Sequence, residues 1–74
     1  MINATIKKGH NGYYNQYGEK KFALLEEGQT LKIEREEADQ YLCSVVNPSD
    51  ESKNYGVHDG MWILAYEEDL DIQS

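Results

Sequence analysis

Five carboxylates crowd the last stretch of the chain: Asp59, then Glu67, Glu68, Asp69 and Asp71. Carboxylates at such spacing can hold a cation, share a proton as a catalytic pair, or face a basic partner. A calcium loop needs alternating ligands, a central glycine and a distal glutamate, and the spacing here does not match it. A catalytic pair needs a cleft around it, whereas adjacent carboxylates on a turn usually stay solvated. A protein-facing surface needs only exposure beside an apolar anchor. Trp62 and Tyr66 lie in the run Met61-Trp62-Ile63-Leu64-Ala65-Tyr66 that leads into the acids, and aromatic side chains dominate interface hot spots. The plainer alternative puts Trp62 in the core and leaves the acids as a solubilising face.

The rest of the chemical inventory is thin. His10 and His58 are far apart and have no cysteine partners at zinc spacing. Cys43 is the only cysteine, so no intramolecular disulfide forms. It sits among apolar neighbours with no base nearby, where a thiol behaves as a small hydrophobe. Gly9, Gly12 and Gly18 do not make a phosphate-binding glycine loop. These absences predict no catalytic residue, no metal site and no cofactor. A second candidate surface is the tyrosine cluster Tyr13, Tyr14 and Tyr17, since tyrosine buries area while keeping a polar tip.

Charge is unevenly spread. The net charge is −7. Residues 1–21 carry four lysines against Glu19, a net of +3, while residues 22–74 carry three bases against thirteen acids, a net of −10. A segment at −10 repels phosphate, so direct nucleic-acid binding is disfavoured unless Lys7, Lys8, Lys20 and Lys21 form a separate basic face. The acidic portion instead suits a basic protein surface, with charge steering the encounter. The start Met1-Ile2-Asn3-Ala4-Thr5 lacks a signal-peptide pattern, and no run is long enough to span a membrane, so a cytoplasmic setting is expected.

The elements that must position these groups are short. With 74 residues the chain forms one small domain, 1–74, with a modest core. Ile2, Ala4 and Ile6 alternate with polar residues, as in a half-buried strand. Tyr13 to Gly18 reads as an aromatic loop, Lys21 to Leu25 as an apolar strand, and Glu26-Glu27-Gly28 as a turn. Thr30 to Arg35 alternates again, with Leu31 and Ile33 inward. The stretch 34–46 fits helical spacing and also strand alternation, and the pair Val45-Val46 tips it toward a turn at 36–39 followed by a strand. Residues 47–54 read as a mobile polar loop. Asp59-Gly60 signals a turn, Met61 to Tyr66 a strand, Glu67 to Leu70 one helical turn, and Asp71-Ile72 a last strand. Trp62 and Leu64 share one face of their strand, and Met61, Ile63 and Ala65 the other. One of the two faces must therefore be outer and open to a partner or a second copy.

Five or six short strands with Gly and Asp turns predict an all-β domain, or β with one short helix, built as a small antiparallel barrel. The order Gly12-Tyr13-Tyr14, Gly18-Glu19-Lys20-Lys21-Phe22, the strand at Tyr41, Gly60-Met61-Trp62 and Glu67-Glu68-Asp69-Leu70 resembles small Src-homology-3-like barrels encoded by bacteriophages and mobile elements. The chain departs from eukaryotic Src-homology-3 domains in lacking their acidic-Tyr signature, paired tryptophans and Pro-Xaa-Asn-Tyr ending. The resemblance implies an accessory protein of the bacterial host cytoplasm and no particular activity. Together these readings predict a non-enzymatic acidic module that covers a basic, nucleic-acid-binding surface of a host protein. Its contact residues would be Tyr13, Tyr14, Tyr17, Asp59, Trp62, Tyr66, Glu67, Glu68, Asp69 and Asp71. The alternatives are a homodimer or other self-assembling structural or virion component, and a nucleic-acid accessory protein using the four early lysines.

Overall fold

A computed structural model describes residues 2–73. Seven strands form a single antiparallel sheet: β1 (Ile2–Ile6), β2 (His10–Tyr14), β3 (Lys20–Leu25), β4 (Thr30–Glu37), β5 (Gln40–Val45), β6 (Trp62–Tyr66) and β7 (Leu70–Gln73). Among the described residues there is also one short helix, α1 (Asp50–Asn54), and a 3-10 turn (Glu67–Asp69). The expected all-β class is therefore observed. The sheet runs β3-β2-β6-β5-β4-β1-β7. Among the described residues β3 and β7 do not pair, so the sheet bends around its core without closing into a barrel.

The core lies on one side of that bend. Ala4 and Ile6, Ala23 and Leu25, Leu31, Cys43 and Val45, Ile63 and Leu70 all point inward, with Val57 and Met61 added from the loops. The period of two explains the choice, since each strand sends alternate residues to the same side. A bulge at Glu34 breaks the period in β4: Ile33 lies opposite Cys43, yet Arg35 lies opposite Leu42. The extra residue flips the end of β4, so Glu36 faces Tyr41 across the β4–β5 ladder.

Several expectations are corrected here. Tyr13 and Tyr14 belong to β2, and the loop proper is shorter, at 15–19. It is organised by Asn15, a buried residue whose Oδ1 accepts from the Tyr17 and Glu19 amides at 2.9 and 3.0 Å. The strand after Thr30 runs on to Glu37. Its turn contains no glycine, and Ala38 takes a left-handed backbone at φ 49°. The predicted loop at 47–54 contains α1. Ser49 caps it by accepting from the Ser52 amide at 3.1 Å, and Asp50 and Glu51 sit in its first turn, where the helix dipole favours them. Just after α1, the Tyr55 carbonyl accepts from the Leu24 amide at the β3 edge at 3.1 Å.

Glu26 ties α1 to the sheet. Its Oε1 accepts from the hydroxyls of Ser49 and Ser52, the latter at 2.9 Å. Those bonds favour the ionised form and hold the Glu26 carboxyl below its ordinary value of 4.5. A lowered folded pKa gives stability that is present above the unfolded value and is lost as pH falls through the folded one. Between pH 6 and pH 3 the thermal midpoint is thus expected to fall more for the wild type than for Glu26→Gln. Equal slopes would remove the tie.

Cys43 gives the opposite window. Burial, with a smaller contribution from the Glu34 charge, pushes its thiol up to about 11. The unfolded chain then releases this proton first, so stability is full below about pH 9 and drains away as pH rises toward 11. Two units correspond to about 3 kcal/mol at most. Urea midpoints at pH 8 and pH 11 should diverge more for the wild type than for Cys43→Ala. A thiol that reacts readily with an exposed-cysteine reagent at pH 8 would contradict the burial.

Candidate functional site: an aromatic outer face with an acidic end

The back of the sheet, away from the core, is unusually apolar. Ile63 points inward from β6, so Trp62, Leu64 and Tyr66 point outward. The registers align Tyr14 with Leu64, Leu64 with Leu42, and Leu42 with Arg35, giving one row across β2, β6, β5 and β4. Leu42 is only 8% exposed yet lies outside the core cluster, so its cover comes from this outer row. Trp62 and Tyr66 flank the row at 39% and 40% exposure, and Tyr14 stays at 42%. Cross-strand aromatic and aliphatic neighbours of this kind stabilise a sheet and leave an apolar strip for contact.

Ser44, opposite Trp62, is satisfied locally: its hydroxyl donates to Glu34 Oε2 at 2.8 Å. Glu34 in turn faces the Lys32 ammonium at 3.6 Å, and Arg35 pairs with Glu37. Lys32 and Arg35 are thus neutralised in place.

The acidic end is different. Register places Gln40 against Tyr66, which brings the β4–β5 turn beside the 3-10 turn. A shallow cleft of about 350 Å³ is lined by Asp39, Tyr66, Glu67 and Glu68. Partial desolvation raises the Tyr41 phenol above its ordinary value of 10.0, and the charges of Glu36 and Glu67 add to the shift. Asp39 thus meets Glu67 and Glu68 beside Tyr66, while Glu36 and Glu67 both act on Tyr41. Among the described residues Glu36, Asp39, Glu67 and Glu68 make no ion pair.

The ten residues singled out from sequence do not form one site. Tyr14, Trp62 and Tyr66 share the outer face, with Glu67 and Glu68 next to Tyr66. Tyr13 points the other way and packs against the core. Tyr17 projects from the 15–19 loop at 78% exposure. Asp59 lies at the opposite end of β6, a strand length away, roughly 16 Å at about 3.3 Å per residue. There its Oδ1 accepts from the Asn47 amide at 3.0 Å and shapes the turn. Asp69 accepts from the Lys7 amide through its carbonyl, and Asp71 sits on β7 opposite Thr5. Sequence reasoning did not single out Leu42, Glu36 or Asp39, because the hairpin that brings them to Leu64 and Tyr66 turns without a glycine signal.

Lys20 and Lys21 are consecutive on β3 and so point to opposite faces, with Lys21 4.0 Å from Glu19. Among the described residues no group of three or more His, Cys, Asp or Glu is arranged to hold a metal, and no helix is long and apolar enough to cross a membrane. The chain matches no protein-family model, no curated protein and no solved structure.

Proposed function

We propose that the domain is a non-enzymatic binding module that docks on a basic protein surface, using the outer aromatic strip as anchor and the acidic end as electrostatic guide. One observation carries this reading: Asp39, Glu67 and Glu68 share a cleft with Tyr66 without ion-pair partners among the described residues, at one end of the outer strip that carries exposed Trp62 and Tyr14. Unneutralised carboxylates speed and orient association with a positive surface, while buried aromatic anchors supply affinity. A surface that normally holds a phosphate backbone is such a partner, and covering it blocks nucleic acid from binding. The bacterial or phage setting implied by the sequence resemblance fits an inhibitor of that kind.

The test compares capture from bacterial lysate by the wild type and by Glu67→Lys/Glu68→Lys. A nucleic-acid-binding protein held by the wild type, released by moderate salt and lost with the double variant supports the proposal. Equal capture by both sinks it.

A second reading has its own observation. Among the described residues β7 ends the sheet with an unpaired edge, and Ile2 and Ile72 remain exposed near it at 48% and 36%. Free edges invite pairing with another copy. A mass by light scattering that stays monomeric at high concentration removes this alternative.

A further inference from the structure

The sheet nearly splits between β2 and β6. Among the described residues only Tyr14 and Leu64 pair across that boundary, whereas β5 and β6 pair over five residues. The gap opens a cleft of about 300 Å³ that reaches from the outer face down to core side chains such as Ile63 and Leu70. Its walls include Tyr13, Tyr14 and Tyr66, with Asp69 at the side. Lys20 also lines it, in a particular way. Its ammonium lies over the Tyr14 ring, 5.1 Å from the centroid. Its stem crosses Gly12, where a methyl group would come within 2.9 Å of Lys20 Cε. The chain thus lays one of its own cations into an aromatic cleft, along a notch kept open by glycine.

We propose that this cleft takes a lysine or arginine side chain from the basic partner, in the place over Tyr14 that Lys20 fills in the free domain. The inference rests on the reading of a basic partner given above. The chemistry fits a long cationic side chain. Aromatic faces attract an ammonium or guanidinium, with arginine favoured because its plane also stacks on the ring. The apolar depth of the cleft suits an aliphatic stem, and Asp69, with Glu67 and Glu68 next in sequence, supplies the opposite charge. Lys20 then acts as an internal competitor. A site filled part of the time by its own lysine binds more weakly by that fraction.

The decisive experiment titrates the full chain, labelled with nitrogen-15, with N-acetyl-arginine amide at low salt. N-acetyl-citrulline amide serves as the neutral isostere. Saturable shifts at the amides of Gly12, Tyr13, Tyr14 and Leu64 to Tyr66 are expected with arginine and not with citrulline. Lys20→Met keeps the stem but removes the charge, and should tighten binding about threefold, the scale of an exposed cation–π contact. Tyr14→Leu should weaken it by a similar factor. Gly12→Ala, which pushes the lysine tail off its notch, checks that Lys20→Met acts through displacement. Shifts confined to Asp39, Glu67 and Glu68 would overturn the cleft while leaving the acidic docking surface standing. Weaker binding by Lys20→Met, or no saturable shift, overturns it outright. A cleft that titrates in a domain that captures no basic protein would instead count against the docking reading alone.

Discussion

Leu31→Ala is expected to cost about 2–5 kcal/mol and to leave much of the domain unfolded at room temperature. Leu31 is fully buried, pairs with Ala4 on β1 and Val45 on β5, and so sits where three strands share the core. A chain of this size has a total stability of only about 4–11 kcal/mol, at roughly 0.05–0.15 kcal/mol per residue. Losing three methyl-sized groups at the centre removes a large share of that, because the β-strands on either side cannot collapse into the void without breaking their ladders. Urea unfolding followed by far-ultraviolet circular dichroism reads the effect as a lower midpoint with an unchanged slope. The comparison is Phe22→Ala. Phe22 is 82% exposed, so its removal should shift the midpoint very little. Similar losses at both positions would mean that the core has been placed wrongly.

The second large effect belongs to the acidic end. Asp39→Lys/Glu67→Lys/Glu68→Lys turns three negative charges into three positive ones within one cleft, and all three side chains are exposed, so the fold should survive. Against a basic partner the association rate should drop about 100-fold at low salt, within the range over which electrostatic steering acts. The wild-type rate should itself fall steeply with added salt, while the reversed variant becomes nearly insensitive or slightly faster. Surface plasmon resonance across 50–500 mM salt separates these arms once a partner has been captured. A triple variant that binds at the wild-type rate would assign the acids to solubility alone. Trp62→Ala, by contrast, should act mainly on dissociation, since an apolar anchor contributes after encounter.

Much of this arrangement is legible in the sequence, and the reasons differ by element. The alternation in Ile2–Ile6 and Thr30–Arg35, and the six-residue run ending at Tyr66, mark strands because each needs one buried face. The 3-10 turn at Glu67–Asp69 and the short last strand follow from an acidic step placed between apolar residues. Asp59-Gly60 turns where expected, with Gly60 at φ 83°. What the sequence conceals is tertiary. The Glu36–Asp39 segment carries helix-favouring residues, but pairing with β5 holds β4 in strand as far as Glu37 and draws Ala38 into a conformation that residue type does not announce. Residues 47–54 look like a polar loop because a single helical turn offers too little periodicity to read. Its stability comes from Ser49 as cap and Glu26 as anchor, a partner more than twenty residues away. The acids near the end of the chain are conspicuous, yet their meeting with Glu36 and Asp39 depends on the β5–β6 register. The outward side of β6 could be anticipated from its alternation. The row from Tyr14 through Leu64 to Leu42 could not, since nothing local says which strands become neighbours.

The thin seam between β2 and β6 bears on how occupancy and folding are linked. A ligand seated there would touch two pieces of sheet that one registered pair joins among the described residues, and would act as a staple across that thin join. By mass action, anything that binds only the joined form adds stability in proportion to the logarithm of its concentration over its dissociation constant. On the proposed docking reading, a domain of this size would gain robustness from its target. It would be most resistant to unfolding and proteolysis while engaged, and most exposed to both when its target is scarce. Its abundance in a cell would then follow that of the protein it binds, without any dedicated regulatory element.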